Sequence, residues 1–224
     1  MRAASLYTGD RGRRYYSQRE ALRSAEVQRE RAALFFDVAD ERATVLDFGC
    51  GNGLLLAELA AARRIGVEIS PEATKEAEKA LDMVVADIDS VADASVDVAI
   101  SFHALEHVES PASVIRAIRR VLKPNGIMKL IVPCEAPLLS PSGRHWHPND
   151  IAMHLYTWSP LSLGNLVSVC GFTVEDARLL PDSAGGRLGR RLEPSSAVRR
   201  WLAWRKAIVS GRLHAAVTAR KSDA

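Results

Sequence analysis

The sequence predicts an α/β fold in which a mostly parallel sheet carries helices on both faces. Short apolar runs alternate along the chain with stretches rich in helix-forming residues, and this alternation is typical of strand–helix–strand units with right-handed crossovers. Proline and glycine separate the two kinds of segment, as at Pro124-Asn125-Gly126. A chain of 224 residues is long enough for one sizeable core. We therefore expect one doubly wound domain that binds its ligand at the carboxyl ends of the strands.

The first part of the chain contains a helix that precedes the sheet, followed by alternating strands and helices. Ser17-Gln18-Arg19-Glu20 has the pattern of a capping box, which predicts a helix from there through Phe36. The apolar run at residues 43–46 suits a buried parallel strand, and residues 52–62 are rich in helix formers. The other elements expected here are strands near 64–69, 83–86 and 96–102 and a helix near 71–80.

The second part of the chain continues the alternation. Ser110-Pro111 suits the N-cap and first position of a helix that ends near residues 122–123, before a strand at 127–132. Ser159-Pro160 starts another helix in the same way. The last elements expected are strands at 172–180 and 213–220 and a long helix at 194–210, with residues 183–191 as a flexible linker.

The most informative segment is the glycine-rich turn that follows the first strand of the sheet, Leu46-Asp47-Phe48-Gly49-Cys50-Gly51-Asn52-Gly53. The glycines permit backbone angles that a Cβ forbids and let backbone amides approach a ligand closely. Glu68 ends the next predicted strand, where a carboxylate can accept both hydroxyls of a ribose. A dinucleotide-binding turn carries its third glycine three residues after the second, but Leu54 stands there. These features predict a nucleoside cofactor other than NAD.

Five segments in a fixed order make the chain resemble the class I S-adenosylmethionine-dependent methyltransferases: VLDFGCGNG, GVEIS, VVADI, DVAISFHALEHV and LKPNG. The resemblance covers residues 44–133 strongly and much of the remainder weakly. It implies a Rossmann-like sheet of seven strands in which the last strand is antiparallel. It also implies that the cofactor is S-adenosylmethionine.

The resemblance assigns roles to individual residues at the strand ends. The glycine turn adjoins the methionine part of the cofactor, Glu68 holds the ribose, and the acid after the third strand reaches the adenine. The residues implied for the cofactor are Tyr16, Asp47, Gly49, Cys50, Gly51, Gly53, Glu68, Ile69, Asp87, Ile88, Ser101, Phe102 and His103. Tyr16 belongs to an aromatic N-terminal segment that closes over the cofactor in such proteins, and a surface position beside the helix start is its alternative.

Residues 134–160 form a loop after the fifth strand, where this family builds its acceptor site. His145 and His147 are the candidate catalytic bases, because an imidazole can take the proton of an acceptor hydroxyl. Ordinary hydrogen bonding within the loop is the alternative for both. We predict no metal site, although a divalent cation bound by these histidines is a second alternative. Trp158 is expected in the core.

The other histidines have simpler interpretations. His107 lies in the segment FHALEHV, where a structural role in the turn after the fourth strand is favoured. His103 borders either the acceptor pocket or the residues behind it. His214 begins the last strand and is predicted to face solvent.

Composition limits the possible partners and compartments. The net charge is +3. Residues 183–224 contain ten Lys or Arg residues and only two acids, Glu193 and Asp223. Nucleic-acid binding is not favoured, because such a tail is most often a solvated face. Three cysteines without metal spacing predict reduced thiols, and the absence of a long apolar run predicts a cytoplasmic protein.

The helix at 194–210 combines apolar and basic residues. Its predicted apolar face consists of Val198, Trp201, Leu202, Trp204, Ile208 and Val209. This face is expected to dock on the sheet or to cover the pocket. Attachment to a membrane that presents a lipid-linked acceptor is the alternative.

These observations predict one enzyme domain with an N-terminal addition. We expect a helical lid at residues 1–42 and a methyltransferase domain at 43–224 that methylates a small molecule at oxygen. Methylation of RNA or protein and a non-catalytic regulatory role are the alternatives. The oligomeric state does not follow from the sequence.

Overall fold

A single sheet of seven strands organises the protein. The computed structural model describes residues 8–18, 24–135, 154–181, 196–210 and 212–222. The strands are β1 (Asp40–Phe48), β2 (Ala61–Val67), β3 (Met83–Val85), β4 (Val96–Phe102), β5 (Leu122–Glu135), β6 (Phe172–Pro181) and β7 (Arg212–Lys221). They lie in the order β3-β2-β1-β4-β5-β7-β6. The first five pair in parallel, and β7 runs antiparallel to β5 and β6. The predicted fold, including its antiparallel last strand, is confirmed.

Helices cover both faces of the sheet. They are α1 (Gly9–Gln18), α2 (Ala25–Ala32), α3 (Leu54–Ala57), α4 (Pro71–Ala77), α5 (Pro111–Val121), α6 (Pro160–Val169) and α7 (Ala197–Ser210). On one face, α5 and α6 pack against a cluster that includes Leu46 and Leu130. On the other face, α2 and α3 pack against Val45 and Ile100. Adjacent residues of β1 thus enter opposite cores, as expected for a strand buried on both faces.

The N-terminal helical segment differs from the prediction. Ser17 lies inside α1, so the interpretation of residues 17–20 as a capping box that starts a helix is wrong. A capping residue needs an extended backbone, and the backbone of Ser24 provides it at the start of α2. A 3-10 turn at Ala33–Phe35 then ends this segment. The buried ammonium of Lys129 binds the carboxylate of Asp37 at 2.6 Å and ties the segment to β5.

The helix predicted at residues 52–62 is much shorter, and β2 starts earlier than expected. Only Leu54–Ala57 is helical, and Ala61 pairs with Asp40 of β1. Pairing with β1 therefore overrides the helix propensity of the alanines at 60–62. Leu55, Leu56 and Leu59 still bury their side chains beneath the sheet.

The expected docking face of the C-terminal helix is wrong. Ala203 and Ala207 are the buried residues of α7, whereas Trp201 is 58% exposed and Val209 is 79% exposed. The small alanines let the helix backbone approach β6 and β7 closely, and this contact turns the large apolar residues outward. No helix in the described ranges is long and apolar enough to cross a membrane.

We expect Gly66→Ala to destabilise the fold through one identifiable contact. A Cβ on Gly66 would lie 2.6 Å from the Cys50 sulfur and 2.8 Å from a methyl carbon of Leu81. Overpacking of this kind costs about 1–3 kcal/mol. Urea unfolding of Gly66→Ala, Cys50→Ala and the double variant should show that the double variant recovers part of the loss. If the loss in unfolding free energy of the double variant equals the sum of the two single losses to within about 0.5 kcal/mol, the Cys50 sulfur is not the obstacle.

Candidate active site

The candidate site lies at the carboxyl ends of β1 to β4. Because β1 stands between β2 and β4, the connections that leave β1 and β4 run to opposite sides of the sheet. A crevice opens at such a switch point, and ligands of open α/β sheets bind there. The residues that the sequence predicts for the cofactor, apart from Tyr16 in α1, lie at the ends of these four strands or in the loops that follow them.

The glycine turn after β1 combines two tight contacts with one open position. Gly49, Gly51 and Gly53 have φ angles of +78°, +56° and +76°. A Cβ on Gly49 would lie 2.5 Å from the Ala104 Cβ, and one on Gly53 would lie 2.9 Å from Leu81. A Cβ on Gly51 would meet nothing within 4 Å. Gly49 and Gly53 therefore let the turn pack, while Gly51 borders open space.

The backbone amides of this turn bind protein rather than face the crevice. The amides of Gly49 and Cys50 donate to the Val67 carbonyl at 2.9 and 3.2 Å. The Gly51 amide donates to Oε2 of Glu68 at 2.9 Å. These three amides are bonded within the protein because the parallel pairing of β1 and β2 brings the end of β2 within their reach, and the expectation that amides of the turn approach a ligand stays a prediction. What the turn offers a ligand is space.

Glu68 is held in place by both of its carboxylate oxygens. It is only 7% exposed, and Oε1 accepts a hydrogen bond of 2.8 Å from the amide of Ser70. A carboxylate can accept more than these two hydrogen bonds, so the amides orient the group without saturating it. Ile69, the next residue, keeps 40% of its surface exposed and is a large apolar side chain at the same edge.

Asp47 is a second carboxylate beneath the turn. It is 2% exposed, and burial together with the charge of Glu68 raises the pKa of Asp47 to about 8. Within the described part of the chain, Oδ1 of Asp47 has no hydrogen-bond partner. The raised pKa favours the neutral form of Asp47, and an approaching cation would favour its ionised form.

Several predicted cofactor residues have side chains that serve the fold. The Ser101 hydroxyl donates to the Phe48 carbonyl at 2.8 Å and joins β4 to β1. Ile88 and Phe102 are buried, at 6% and 9% exposure. Burial also raises the pKa of the Cys50 thiol. These four residues can face a ligand mainly through their backbones. The carboxylate of Asp87, in contrast, is exposed and accepts from the Asp89 amide.

The half-buried His103 pairs with the buried His214. Its Nε2 lies 3.0 Å from Nδ1 of His214, and its ring stacks on Phe102 with a centroid separation of 4.2 Å. The φ angle of +54° at His103 is rare for a residue with a side chain. Burial lowers the pKa of His103 well below its usual value, and the nearby His214 and Arg31 lower it further. The imidazole is therefore neutral.

The prediction that His214 faces solvent is wrong, because it is 2% exposed. β7 lies between β5 and β6, so a residue near its start is covered from both sides. Sequence analysis missed this residue as part of the site. A signal was present in the apolar residues that follow it, Ala215, Ala216 and Val217, since such a run is typical of a central strand.

A second histidine group lies just beyond His103. The 3-10 turn Leu105–His107 contains Glu106, which is fully buried, and His107, whose Nε2 lies 3.7 Å from a Glu106 carboxylate oxygen. The ring of His154 packs edge-on to that of His107 at 5.0 Å. The amide of Leu155 donates to the Glu106 carbonyl at 2.8 Å and holds the two segments together.

Other predicted residues lie partly or wholly outside the described part of the chain. His145 and His147 fall outside the described residues. Tyr16 lies in α1, but its side chain is not among those described. Trp158 is 8% exposed, so its expected core position is confirmed.

A family model described as a methyltransferase domain matches residues 15–177. The chain belongs to the methyltransferase domain family. The predicted resemblance is thus confirmed, and with it the enzymatic class and the use of S-adenosylmethionine.

Comparisons with individual proteins agree with the family. A ubiquinone biosynthesis O-methyltransferase from Xanthomonas oryzae pv. oryzae is 35% identical over 96 residues, which are 38% of this methyltransferase and 40% of that protein. The chain spans about 35–40% of the lengths of the curated relatives that it matches first.

Solved structures share the fold at low identity. A SAM-dependent methyltransferase from Archaeoglobus fulgidus superposes with a TM-score of 0.66 at 21% identity, covering 92% of this methyltransferase and 99% of that chain. A geranyl diphosphate C-methyltransferase from Streptomyces coelicolor A3(2) gives a TM-score of 0.63 at 13% identity, covering 88% and 80%.

The crevice of this methyltransferase suits a positively charged nucleoside. S-adenosylmethionine has a sulfonium and an ammonium group at its methionine end. The buried carboxyl of Asp47, one oxygen of which has no hydrogen-bond partner in the described structure, would supply a compensating charge for such a cationic end. The acceptor oxygens of Glu68 and the open space at Gly51 suit the rest of the molecule.

We expect Asp47→Asn to change how stability depends on pH. A carboxyl whose folded pKa is raised keeps its proton in the native state while the unfolded chain ionises, so stability falls as pH rises from about 4 to about 8. The slope from this group is at most about 1.4 kcal/mol per pH unit. Thermal melts without cofactor should show Asp47→Asn gaining on the wild type between about pH 5 and pH 8.

The matched control for this prediction is Asp87→Asn, which removes an exposed carboxylate from the same edge of the sheet. If the difference between Asp47→Asn and the wild type stays constant across this pH range, the pKa of Asp47 is not raised.

Proposed function

We propose that this methyltransferase transfers the methyl group of S-adenosylmethionine to an oxygen atom of a small molecule. The similarity to ubiquinone biosynthesis O-methyltransferases, 35% identity over 96 residues, is the observation that supports this acceptor class. The residues that follow β4 agree with it. Ser101-Phe102-His103-Ala104 stands where amino-directed enzymes carry a tetrapeptide such as N-P-P-Y.

The cofactor half of the proposed site is built from β1, β2 and β3. Glu68 accepts the ribose hydroxyls, and the exposed side chain of Ile69 packs beside the nucleoside. Asp87, exposed after β3, accepts from the adenine amine. Asp47 ionises beside the cationic methionine end, and Gly51 leaves room for it.

The acceptor half is built from the residues after β4 and β5. S-adenosylmethionine supplies an activated methyl group when bound, so the protein mainly has to orient the acceptor and exclude water, which can be worth about 7–11 kcal/mol. His103, which pairs with His214 through its Nε2, is proposed to border the methionine end of the cofactor. His145 and His147 are proposed to take the acceptor proton, a contribution of roughly 10²- to 10⁴-fold.

The N-terminal segment is proposed to close this site. α1 lies against α4, which begins three residues after Glu68, and the guanidinium of Arg13 is 3.7 Å from the Glu72 carboxylate. A helix in this position can cover the nucleoside. Tyr16, in the last turns of α1, is the residue proposed to reach the cofactor.

Turnover with defined acceptors tests the proposed function. The protein is supplied with S-adenosylmethionine and with phenols, catechols, alcohols, amines or RNA, and adenosylhomocysteine is quantified. We expect product with hydroxyl acceptors and a methyl ether by mass spectrometry. Methylated amine or RNA would contradict the acceptor class, and binding without any turnover would indicate a regulatory protein.

Glu68→Gln should separate the cofactor site from the acceptor site in the same assay. Glutamine cannot accept from two amides and two ribose hydroxyls at once, so the Kd for adenosylhomocysteine should rise by about 10- to 100-fold. The KM for the acceptor should change little. Glu76→Gln, an exposed acid on α4, is the matched control. Equal cofactor affinity in Glu68→Gln and wild type by calorimetry would contradict the ribose assignment.

A lipid-linked acceptor is favoured by one further observation. The exposed face of α7 contains Trp201, Ile208 and Val209, at 58%, 53% and 79% exposure. The helix carries four basic residues and no acid, AVRRWLAWRKAIVS. Exposed aromatic and aliphatic residues beside basic ones suit the surface of an anionic membrane. We propose that α7 docks the enzyme on such a surface.

Vesicle binding measures this contact. We expect the protein to partition onto vesicles of equal parts phosphatidylserine and phosphatidylcholine and to be released by salt. Trp201→Ser combined with Ile208→Ser should weaken binding by about 10-fold or more. Leu161→Ser, which removes an apolar residue of 74% exposure from α6, is the matched control. Equal losses in both proteins would exclude a specific role for α7.

A further inference from the structure

Three potential metal ligands converge beyond the end of β4. They are the carboxylate of Glu106 and the imidazoles of His107 and His154, which we call the Glu106 cluster. One ligand atom from each residue lies within 4.8 Å of the other two. None of the three belongs to the proposed cofactor residues. The cluster also differs from His145 and His147, for which a divalent cation is an alternative in the sequence analysis.

The backbone brings these ligands together. The 3-10 turn Leu105–His107 places Glu106 and His107 next to each other at the end of β4. The segment that contains His154 is fastened to this turn twice. The Leu155 amide donates to the Glu106 carbonyl at 2.8 Å, and the Tyr156 hydroxyl donates to the Glu109 carbonyl at the same distance. Hydrogen bonds between segments almost 50 residues apart therefore fix the position of the third ligand.

The donor set has a definite metal preference. One carboxylate oxygen and two imidazole nitrogens suit Zn²⁺, Fe²⁺ or Co²⁺, whereas Mg²⁺ and Ca²⁺ prefer oxygen ligands alone. Bonds of about 2.0–2.1 Å in tetrahedral geometry put ligand atoms about 3.3 Å apart. The Glu106 oxygen and Nε2 of His107 are 3.7 Å apart, so small side-chain rotations suffice to close the site.

The burial of the carboxylate supports the same conclusion. Glu106 is 0% exposed, and one of its carboxylate oxygens lies 3.7 Å from Nε2 of His107. A carboxylate removed from water needs a compensating cation or a hydrogen-bonding environment. A divalent ion between Glu106 and two imidazoles supplies that compensation.

We propose that the Glu106 cluster binds one divalent transition-metal ion of the Zn²⁺ type. Three protein ligands leave at least one coordination position for water or for an acceptor oxygen, as in catalytic rather than structural zinc sites. The cluster lies just beyond β4, the strand end assigned to the methionine part of the cofactor, so a bound ion would orient the acceptor hydroxyl and lower its pKa. That role rests on the proposed transfer to oxygen, whereas binding of the ion does not.

Titration of chelator-treated protein with Co²⁺ tests the site without any acceptor. Co²⁺ reports its own coordination through its visible absorption, and elemental analysis after desalting gives the stoichiometry. We expect about one Co²⁺ ion per chain, with the visible absorption intensity of a four- or five-coordinate site. Zn²⁺ should displace the bound Co²⁺. His154→Ala and His107→Ala should each weaken binding by about 100-fold.

Controls distinguish this cluster from other sources of metal binding. Glu109→Gln changes an exposed acid beside the cluster and should retain the full signal. His145→Ala combined with His147→Ala should also retain it. Loss of the signal in that double variant, retention of it in His154→Ala, or no stoichiometric binding by the wild type would each overturn the proposal.

Folding and cofactor binding are checked separately. Glu106→Gln removes a buried charge and can unfold the protein. The decisive variant is therefore His154→Ala, because His154 is only half-buried. Adenosylhomocysteine should bind His154→Ala with wild-type affinity by calorimetry. If the wild-type protein does not bind adenosylhomocysteine, the proposed function is refuted. If it binds adenosylhomocysteine but not Co²⁺, only the metal site is refuted.

Discussion

The hydrogen bond from the Gly51 amide to the Glu68 carboxylate is the contact on which the crevice depends. It joins the turn after β1 to the first residue beyond β2, over a separation of 17 residues. A hydrogen bond to a charged acceptor contributes about 1.5–3 kcal/mol. Because the same carboxylate also orients Ser70 at the start of α4, one side chain sets the positions of the turn, the strand end and the following helix. Its charge in turn helps to keep Asp47 protonated.

The sequence predicts the overall architecture well because alternating apolar runs and turn residues are local signals. Strand order and the antiparallel β7 follow once the resemblance is recognised. The short α3 is not predictable in the same way, because residues 60–62 favour helix locally and only their pairing with β1 decides otherwise. The face of α7 is missed for a related reason. Amphipathicity ranks side chains by size and polarity, yet close packing on β6 and β7 selects Ala203 and Ala207.

The site is predicted in part. Glu68, Asp47 and the glycine turn are found from their spacing, since they lie at strand ends that the fold must bring together. His214 is missed because its partner His103 is 111 residues away, and no local pattern reports such a contact. The hydrogen-bonding direction of the turn amides is missed as well, because it depends on where β2 ends. Residues such as Ile88 and Phe102 lie at or beyond the expected strand ends, but their side chains are buried in the core.

The position of β7 has a consequence for the order in which the molecule assembles. β7 follows both β5 and β6 in the chain but lies between them in the sheet, so β6 has no place to pair until β7 has been added. Contacts between distant segments of this kind form slowly. Strands β1 to β4 can associate first and shape the pocket for the nucleoside, whereas His103 gains its partner only when β7 is inserted. This topology predicts that the strand ends that hold the nucleoside form early in folding and that the pairing of His103 with His214 forms late.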